Sequence, residues 1–512
     1  MSAMDEATAP SSNKRIAKNT LALYVRMFLT MIVGLYTSRV VLATLGVEDY
    51  GVYGVVGGIV SMLGFLNASM SGATSRFLTF ELGRGDKDRL GKTFSSALVV
   101  HVGIALVVLV LAETVGLWFL CNKLVIPAGR MGAAMWVYQL SIASAMLGFT
   151  QVPYNATIIA HENMDVYAYV EILNSVLKLG IVYLLTIGNF DKLILYAVLM
   201  FAVSVVVMMT YRVYCLRHYA ESHFHWICDK TYLRPLLSFS GWDLYGNMSV
   251  LARQQGINFL INMFFGVVYN AASSIATMVN GVVTAFAFNI IQASRPTIIK
   301  EYASGDMAGM ERVVCNASKY TVLLFGCMLT PLVLELPYLM ELWLGTVPDK
   351  AVAFCRLLLV ASLFGLFNSV LTTCIHATGR IARLSFITGS LFIGCVPVIY
   401  VLFRAGLGID WAYVVYLLGV VAILVSDMAI LKLQVRELSL LRVSRGVAQG
   451  YLFILAAAVL VWWVHETLSA GFVRACAVTA ANAAVLGLLT LLTMDKGQKA
   501  IVKKKLCSVF RQ

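Results

Sequence analysis

The chain is a succession of long apolar stretches separated by short polar gaps, and its lysines and arginines crowd into every second gap. A hydrocarbon layer about 30 Å thick needs roughly 20 apolar residues for one helical crossing. By that measure the sequence holds about fourteen spans, near residues 19–45, 50–81, 93–120, 131–160, 165–188, 192–216, 234–264, 267–292, 311–336, 351–377, 382–405, 409–434, 446–467 and 472–494. The runs are continuous rather than alternating with period two, which argues against a β-barrel. In lipid each backbone polar group needs a partner within its own segment, so the runs must be helices. The expected fold class is an all-α polytopic membrane protein.

The net charge of +13 would suit a nucleic-acid partner, but its placement does not. With the N-terminus taken as cytosolic, the inner gaps collect roughly 28 basic residues, among them Lys14, Arg76, Arg84, Arg89, Arg217, Arg295, Lys300, Arg380, Arg436 and the tail lysines. About six fall outside: Lys123, Arg130, Lys192, Lys350, Arg404 and Arg474. Such asymmetry is the positive-inside signature, with the basic loops facing anionic lipid. An even number of spans returns the C-terminus to the same side. The turn at His161–Asp165 should also lie inside, yet it carries no Lys or Arg. Residues 1–18 are polar, and the first apolar run is too long for a cleaved signal, so it reads as a true span. The ten cysteines are scattered without a CxxC pair and read as free thiols.

The two halves echo each other. Leu45-Gly46-Val47 and Phe265-Gly266-Val267 follow spans 1 and 7, while Glu81-x-x-x-Gly85-Asp86 and Glu301-x-x-x-Gly305-Asp306 follow spans 2 and 8. Every landmark is displaced by the same ~220 residues, as a duplicated unit leaves behind. An even number of spans per copy inserts both the same way up, related by a pseudo-two-fold along the membrane normal with a cavity between them. The expected organisation is a cytosolic tail (1–18), a six-helix lobe (19–217), a linker (218–233), a second six-helix lobe (234–434), two additional helices (445–494) and a basic cytosolic tail (495–512).

Some charges remain at membrane depth: Arg26 and Arg39 in span 1, Lys178 in span 5, Arg253 in span 7 and Arg356 in span 10. A charge at the bilayer centre costs at least ~2.5–3.5 kcal/mol, so it faces protein or water. Lys178 and Arg253 are the deepest. Arg39 and Arg356 lie near span ends, where a long side chain can snorkel. The buried acids Glu171, Asp243 and Asp427 are candidates for ion coupling or for structural pairing. Glu171 and Lys178 share a face of span 5. Polar stripes recur at helical spacing on span 7 (Gln255, Asn258, Asn262) and span 8 (Ser273, Thr277, Asn280, Thr284). Two readings stand for them, a hydrated cavity wall or polar helix–helix contact. A lumen where Arg and Lys exceed acids attracts anions, and the planar arginine fork matches phosphate.

No catalytic constellation, cofactor motif or Walker loop is present in the sequence. His218, His223, His225 and Cys228 match no standard metal-ligand spacing and read as loop residues. The outer connections are too short for the catalytic domain of a membrane glycosyltransferase or polysaccharide polymerase. Pro331 and Pro397 lie within spans and can bend them.

The stretch LGVEDYGVYGVVGGIVSMLGFLNASMSGATSRFLTFELGRGD (Leu45 to Asp86) resembles the start of the bacterial polysaccharide-export, or O-antigen, flippases. QQGINFLINMFFG (Gln254 to Gly266) and EYASGD (Glu301 to Asp306) carry the same resemblance. These proteins belong to the multidrug/oligosaccharidyl-lipid/polysaccharide (MOP) exporter superfamily, and the similarity extends over spans 1 to 12. It implies two six-helix bundles working by alternating access, in a MATE-like arrangement. The implied cargo is an oligosaccharide joined through pyrophosphate to a polyprenol, moved to the outer leaflet of an inner membrane and driven by H+ or Na+ or by downstream consumption. Relatives hold the pyrophosphate with basic residues in the first helix of a lobe, which implies that role for Arg26 and Arg253. The multidrug branch commonly places an acid in the first helix. Span 1 here has no Asp or Glu before Glu48, which weighs against a cation-coupled drug antiporter as the alternative.

Overall fold

The computed structural model describes residues 12–62, 64–122, 126, 129–185, 191–225, 230–344 and 347–493. Among them the chain is helical throughout, with no strand. The helices are α1 (Ser12–Met62), α2 (Gly64–Arg84), α3 (Lys87–Asn122), α4 (Met131–Ala160), α5 (Met164–Leu184), α6 (Lys192–His218) and α7 (Lys230–Phe265). They continue as α8 (Val267–Ser304), α9 (Met307–Leu344), α10 (Ala351–Thr378), α11 (Ala382–Arg404), α12 (Trp411–Gln434), α13 (Leu440–Thr467) and α14 (Phe472–Thr493). Eleven of these, all but α1, α2 and α7, contain a segment long and apolar enough to cross a membrane. In α7 the polar load of Asp243, Arg253, Gln254, Gln255, Asn258 and Asn262 lowers the mean hydropathy.

The expected boundaries fall where backbone chemistry puts them. Spans 1 and 2 join without a loop, and α1 runs through a kink at Gly46 with φ of 80°. The equivalent Gly266 has φ of 89°. Gly85 and Gly305, which close α2 and α8, have φ of 75° and 81°. Left-handed backbone of this kind is available to glycine without a Cβ penalty. After each comes an aspartate that caps the next helix: Asp86 accepts from the Arg89 amide at 3.0 Å, and Asp306 accepts from the Gly309 amide at 2.8 Å. The landmarks displaced by 220 residues (266 − 46 and 305 − 85) therefore share a positive φ in both halves.

The helices pack as two compact units. The first takes Met1–Val250, Gln292–Val313 and Thr373–Gly389, and the second takes Leu251–Ile291, Val314–Thr372 and Ser390–Gln512. Val41, Leu78, Phe94, Tyr154, Ile158, Ile181 and Tyr211 from α1–α6 build a core of the first unit. Large apolar side chains also point outward, such as Val107, Val110 and Val115 on α3. Hydrocarbon can cover such a face at no cost, whereas water cannot. Within α3 a π-helical turn at Ala112–Gly116 shifts the register, and the Ala112 carbonyl accepts from the Tyr138 hydroxyl at 2.6 Å.

Polar staples fasten the helix ends of the first unit. Arg130 donates through Nε to Asp49 at 2.7 Å and through Nη1 to Asp191 at 2.6 Å. Burial pushes the Asp191 carboxyl up, but Arg130 and the Leu193 and Ile194 amides more than offset it and hold the group below its usual value. At the α4–α5 turn, Glu162 adopts φ of 61°, and the His161 ring stacks on Tyr219 at 4.3 Å. His161 Nε2 lies 2.6 Å from the Glu221 carboxylate. Burial raises that carboxyl too, but the His161 bond, the backbone amide and the charges of His161 and Lys87 bring it below the ordinary range.

Candidate functional site

Arg253 projects from α7 in the second unit. Its guanidinium carbon lies 4.1 Å from the Tyr416 ring centre and 5.0 Å from that of Phe392. Two π faces thus hold the cation, an arrangement that strengthens as water is excluded. Its Nε is buried and makes no hydrogen bond. Among the described residues no carboxylate lies within ion-pair distance of it. What remains is an arginine whose donor edge is unspent, held by aromatic rings from α11 and α12.

The polar residues of α7 and α8 divide in two. Asn258 Oδ1 accepts from Ser273 Oγ at 2.9 Å, and Ser273 in turn accepts from the Tyr413 hydroxyl at 2.8 Å. Asn280 Oδ1 accepts from Ser362 at 2.8 Å, and Thr284 bonds back to the Asn280 carbonyl. These four stitch helices together or bend one. Gln255, Asn262 and Thr277 are exposed. Asp427 is fully buried on α12, where Oδ2 accepts from the Thr372 hydroxyl at 3.2 Å. Arg356 is exposed, and its Nε reaches the Val333 carbonyl at 3.0 Å.

In the first unit Arg26 lies over the Tyr167 ring at 5.0 Å. One turn on from Tyr167, Glu171 accepts from the Tyr211 hydroxyl at 3.2 Å. Lys178 is partly buried on the same helix. The side chain of Arg39 lies outside the described residues. Asp243, on α7, accepts from Asn247 at 3.1 Å and has His376 Nε2 at 3.9 Å. Arg295 Nη2 and Asp243 Oδ2 both come within 3.6 Å of where a Cβ on Gly72 would sit. The structure therefore groups Arg26 with Glu171 through two tyrosines, groups Asp243 with Arg295 and His376, and leaves Arg253 in a separate aromatic clasp.

Several polar contacts join residues far apart in the sequence. Arg76 belongs to a buried stretch of α2 rather than to a loop, and it donates to the His376 and Ala377 carbonyls at 3.1 and 2.7 Å. Glu335 on α9, 1% exposed, meets His465 of α13 at 2.7 Å and Arg474 of α14 at 3.0 Å. His218 bonds through its ring to the Tyr214 carbonyl, and His225 to the His223 carbonyl. Cys228 lies outside the described residues.

No protein-family model matches the chain, and no curated protein matches it. Solved structures do. An outward-facing multidrug resistance MATE family transporter of the MOP superfamily superposes with a TM-score of 0.72 at 13% identity, covering 84% of this chain and 97% of that one. A MATE protein in a bent conformation gives 0.73 at 12% identity, covering 86% and 98%. A MOP superfamily transporter from Pyrococcus furiosus, described as having a binding pocket of reverse polarity that suggests a different function, gives 0.69 at 13% identity, covering 84% and 97%. The chain has the fold of the MATE transporters. At these identities the likeness speaks for architecture, and activity has to be argued from the residues.

Proposed function

We propose that the chain is a flippase of a bacterial inner membrane. It moves a polyprenyl-pyrophosphate-linked oligosaccharide, an O-antigen, capsule or exopolysaccharide unit, from the cytosolic to the outer leaflet by alternating access. Both termini lie in the cytosol, and the lobes divide at 19–217 and 234–434. The observation that carries this reading is Arg253. A helix at membrane depth keeps an arginine with a buried, unspent Nε and no carboxylate partner among the described residues. A cation at the bilayer centre costs at least ~2.5 kcal/mol, and a role in holding a passing anion accounts for keeping it. Arg26, seated on Tyr167, and Lys178 are the corresponding cations of the first lobe, and Arg39 and Arg356 are subsidiary. Gln255, Asn262 and Thr277, which are exposed, are available to sugar hydroxyls.

The test is reconstitution of the purified protein in vesicles with a lipid-linked oligosaccharide. Arg253→Ala should reduce head-group translocation at least tenfold with unchanged insertion, and Arg253→Lys should recover only part of it, since an ammonium lacks the fork. Normal transport by Arg253→Ala removes the residue from the site. One observation favours a second reading, a cation-coupled MATE-type antiporter: the fully buried Asp427, with Glu171 and Asp243 as further acids able to exchange H+ or Na+. Efflux of cationic dyes without any lipid substrate would establish that reading instead, and new glycosidic bonds would point to a transferase.

A further inference from the structure

We infer that Phe392, Tyr416, Gly256 and Gly419 are positioning residues for Arg253. The two rings seat its guanidinium without neutralising it, and the two glycines let the helices close around it. This rests on the reading of Arg253 as the group that holds phosphoryl oxygens, and it adds what sets how tightly that group can hold them. The first observation is the spacing of the close contacts. Gly256 lies one turn beyond Arg253 on α7, and a Cβ there would sit 2.8 and 3.0 Å from the two methyl groups of Val396 on α11. Val396 is itself one turn beyond Phe392. Gly419 lies one turn beyond Tyr416 on α12, and a Cβ there would sit 2.9 Å from Cys395 Sγ, again one turn beyond Phe392. Val396 is stiff at χ1 because it is β-branched. Cys395 is buried, and its thiol is tied to the Leu391 carbonyl at 3.2 Å. The three helices therefore converge one turn from the three clasp residues, and both joints depend on a missing side chain.

The second observation is that this closeness goes with the arginine and not with the duplicated helix. At the offset of 220 that relates Gly46 to Gly266, the first copy has Val33 in place of Arg253 and Tyr36 in place of Gly256. The glycine comes with the cation. The third observation is electrostatic. A carboxylate partner would neutralise Arg253, and an incoming phosphate would have to displace that partner and leave it stranded. Rings attract the cation through their quadrupoles and leave its charge in place. The Nε donor stays buried and unpaired beside Tyr416 at 4.1 Å and Phe392 at 5.0 Å. A guanidinium stacks on aromatic faces where an ammonium does not, and its fork of donors matches paired phosphoryl oxygens. The seat thus selects arginine at this position and, through it, a ligand that offers two such oxygens.

The test uses the full chain in lipid nanodiscs, NMR of isotope-labelled arginine, and inorganic pyrophosphate as the probe. The Arg253 Nε–H signal, assigned by its loss in Arg253→Lys, should stand upfield of ordinary arginines through the ring currents of Phe392 and Tyr416. It should move back towards them in Tyr416→Leu and in Gly256→Ala, and hold its place in Tyr416→Phe, which keeps the ring. Pyrophosphate should shift the same signal. Its affinity should fall at least about tenfold in Tyr416→Leu and Gly256→Ala, and stay within about threefold in Tyr416→Phe. Val396→Ala added to Gly256→Ala makes room for the new methyl group and should recover most of that loss. Transport of lipid-linked oligosaccharide should follow the same order through KM, with the maximal rate little changed, a split that misfolding does not produce. Where Gly256→Ala fails to fold, Tyr416→Leu against Tyr416→Phe decides. An unmoved Arg253 signal or an unchanged affinity in Tyr416→Leu overturns the proposal, and so does a Tyr416→Phe variant as impaired as Tyr416→Leu. Pyrophosphate that leaves the Arg253 signal untouched in the unmodified protein sinks the cargo reading instead, and the ring-current displacement alone then decides the seating.

Discussion

Replacing Glu335 by Ala should loosen the last two helices from the second unit. The carboxylate is 1% exposed and holds three donors: His465 Nδ1 at 2.7 Å, Arg474 Nε at 3.1 Å and Arg474 Nη2 at 3.0 Å. Its loss strands the side chain of Arg474, 14% exposed, without a counter-ion and that of His465, 19% exposed, without its hydrogen-bond partner. Breaking a buried pair from one side costs about 3–5 kcal/mol, because the remaining charge keeps its desolvation penalty. The bonds of Asn482 to the Gly326 and Cys327 carbonyls and the seating of Ile454 on Gly326 remain. The loss should therefore show as local opening rather than collapse. At 1.4 kcal/mol per decade, amide hydrogen exchange in α13 and α14 should accelerate by roughly two to three and a half decades. Exchange in α3, in the other unit, should not change. Glu335→Gln keeps the shape but not the charge and should fall between. A triple change of Glu335, His465 and Arg474 to Leu, Leu and Met should recover most of the protection, since an apolar set removes the stranded charges. Exchange within a factor of about three of the unmodified protein in Glu335→Ala would refute the argument.

Gly379→Ala should destabilise by more than about 1 kcal/mol, because it combines a left-handed backbone with a Cβ 2.7 Å from Arg76; thermal unfolding in detergent measures it. Arg130→Gln should cost about 1–3 kcal/mol by leaving Asp49 and Asp191 without their shared donor, again read from the melting temperature. The Glu221 carboxyl should titrate below 4.5, the value of a free glutamate side chain, in a carbon NMR experiment. Because its folded-state pKa is depressed, its contribution to stability is complete above that value and is lost as the pH falls through the lower, folded-state pKa. Glu221→Gln should flatten the pH dependence of stability in that acidic range.

The sequence was most informative where physics acts on short stretches. Hydropathy located the helices, and the repeated Gly46 and Gly266, Gly85 and Gly305 marked turns that then proved to need a left-handed backbone. Depth within a span singled out Arg253 as an uncompensated cation, but the two rings that hold it come from residues 392 and 416, which no local pattern connects to it. A topology rule assigns Arg76 to a loop because it weighs residues near span ends without knowing which helix terminus lies opposite. Glu335 has no local signature, since its partners lie 130 and 139 residues away. Small residues such as Gly256 carry no chemical signal at all. Their meaning is the closeness of a neighbouring helix, which only coordinates supply.

The Glu335 cluster also bears on how such a chain can grow or shrink. The acid sits in the twelve-helix body, and both of its partners, His465 and Arg474, arrive with the terminal hairpin. A version truncated before Leu440 would inherit a carboxylate with nothing to neutralise it. Viable twelve-helix descendants should therefore carry an uncharged side chain at that place, making position 335 a written trace of whether the extra pair is present.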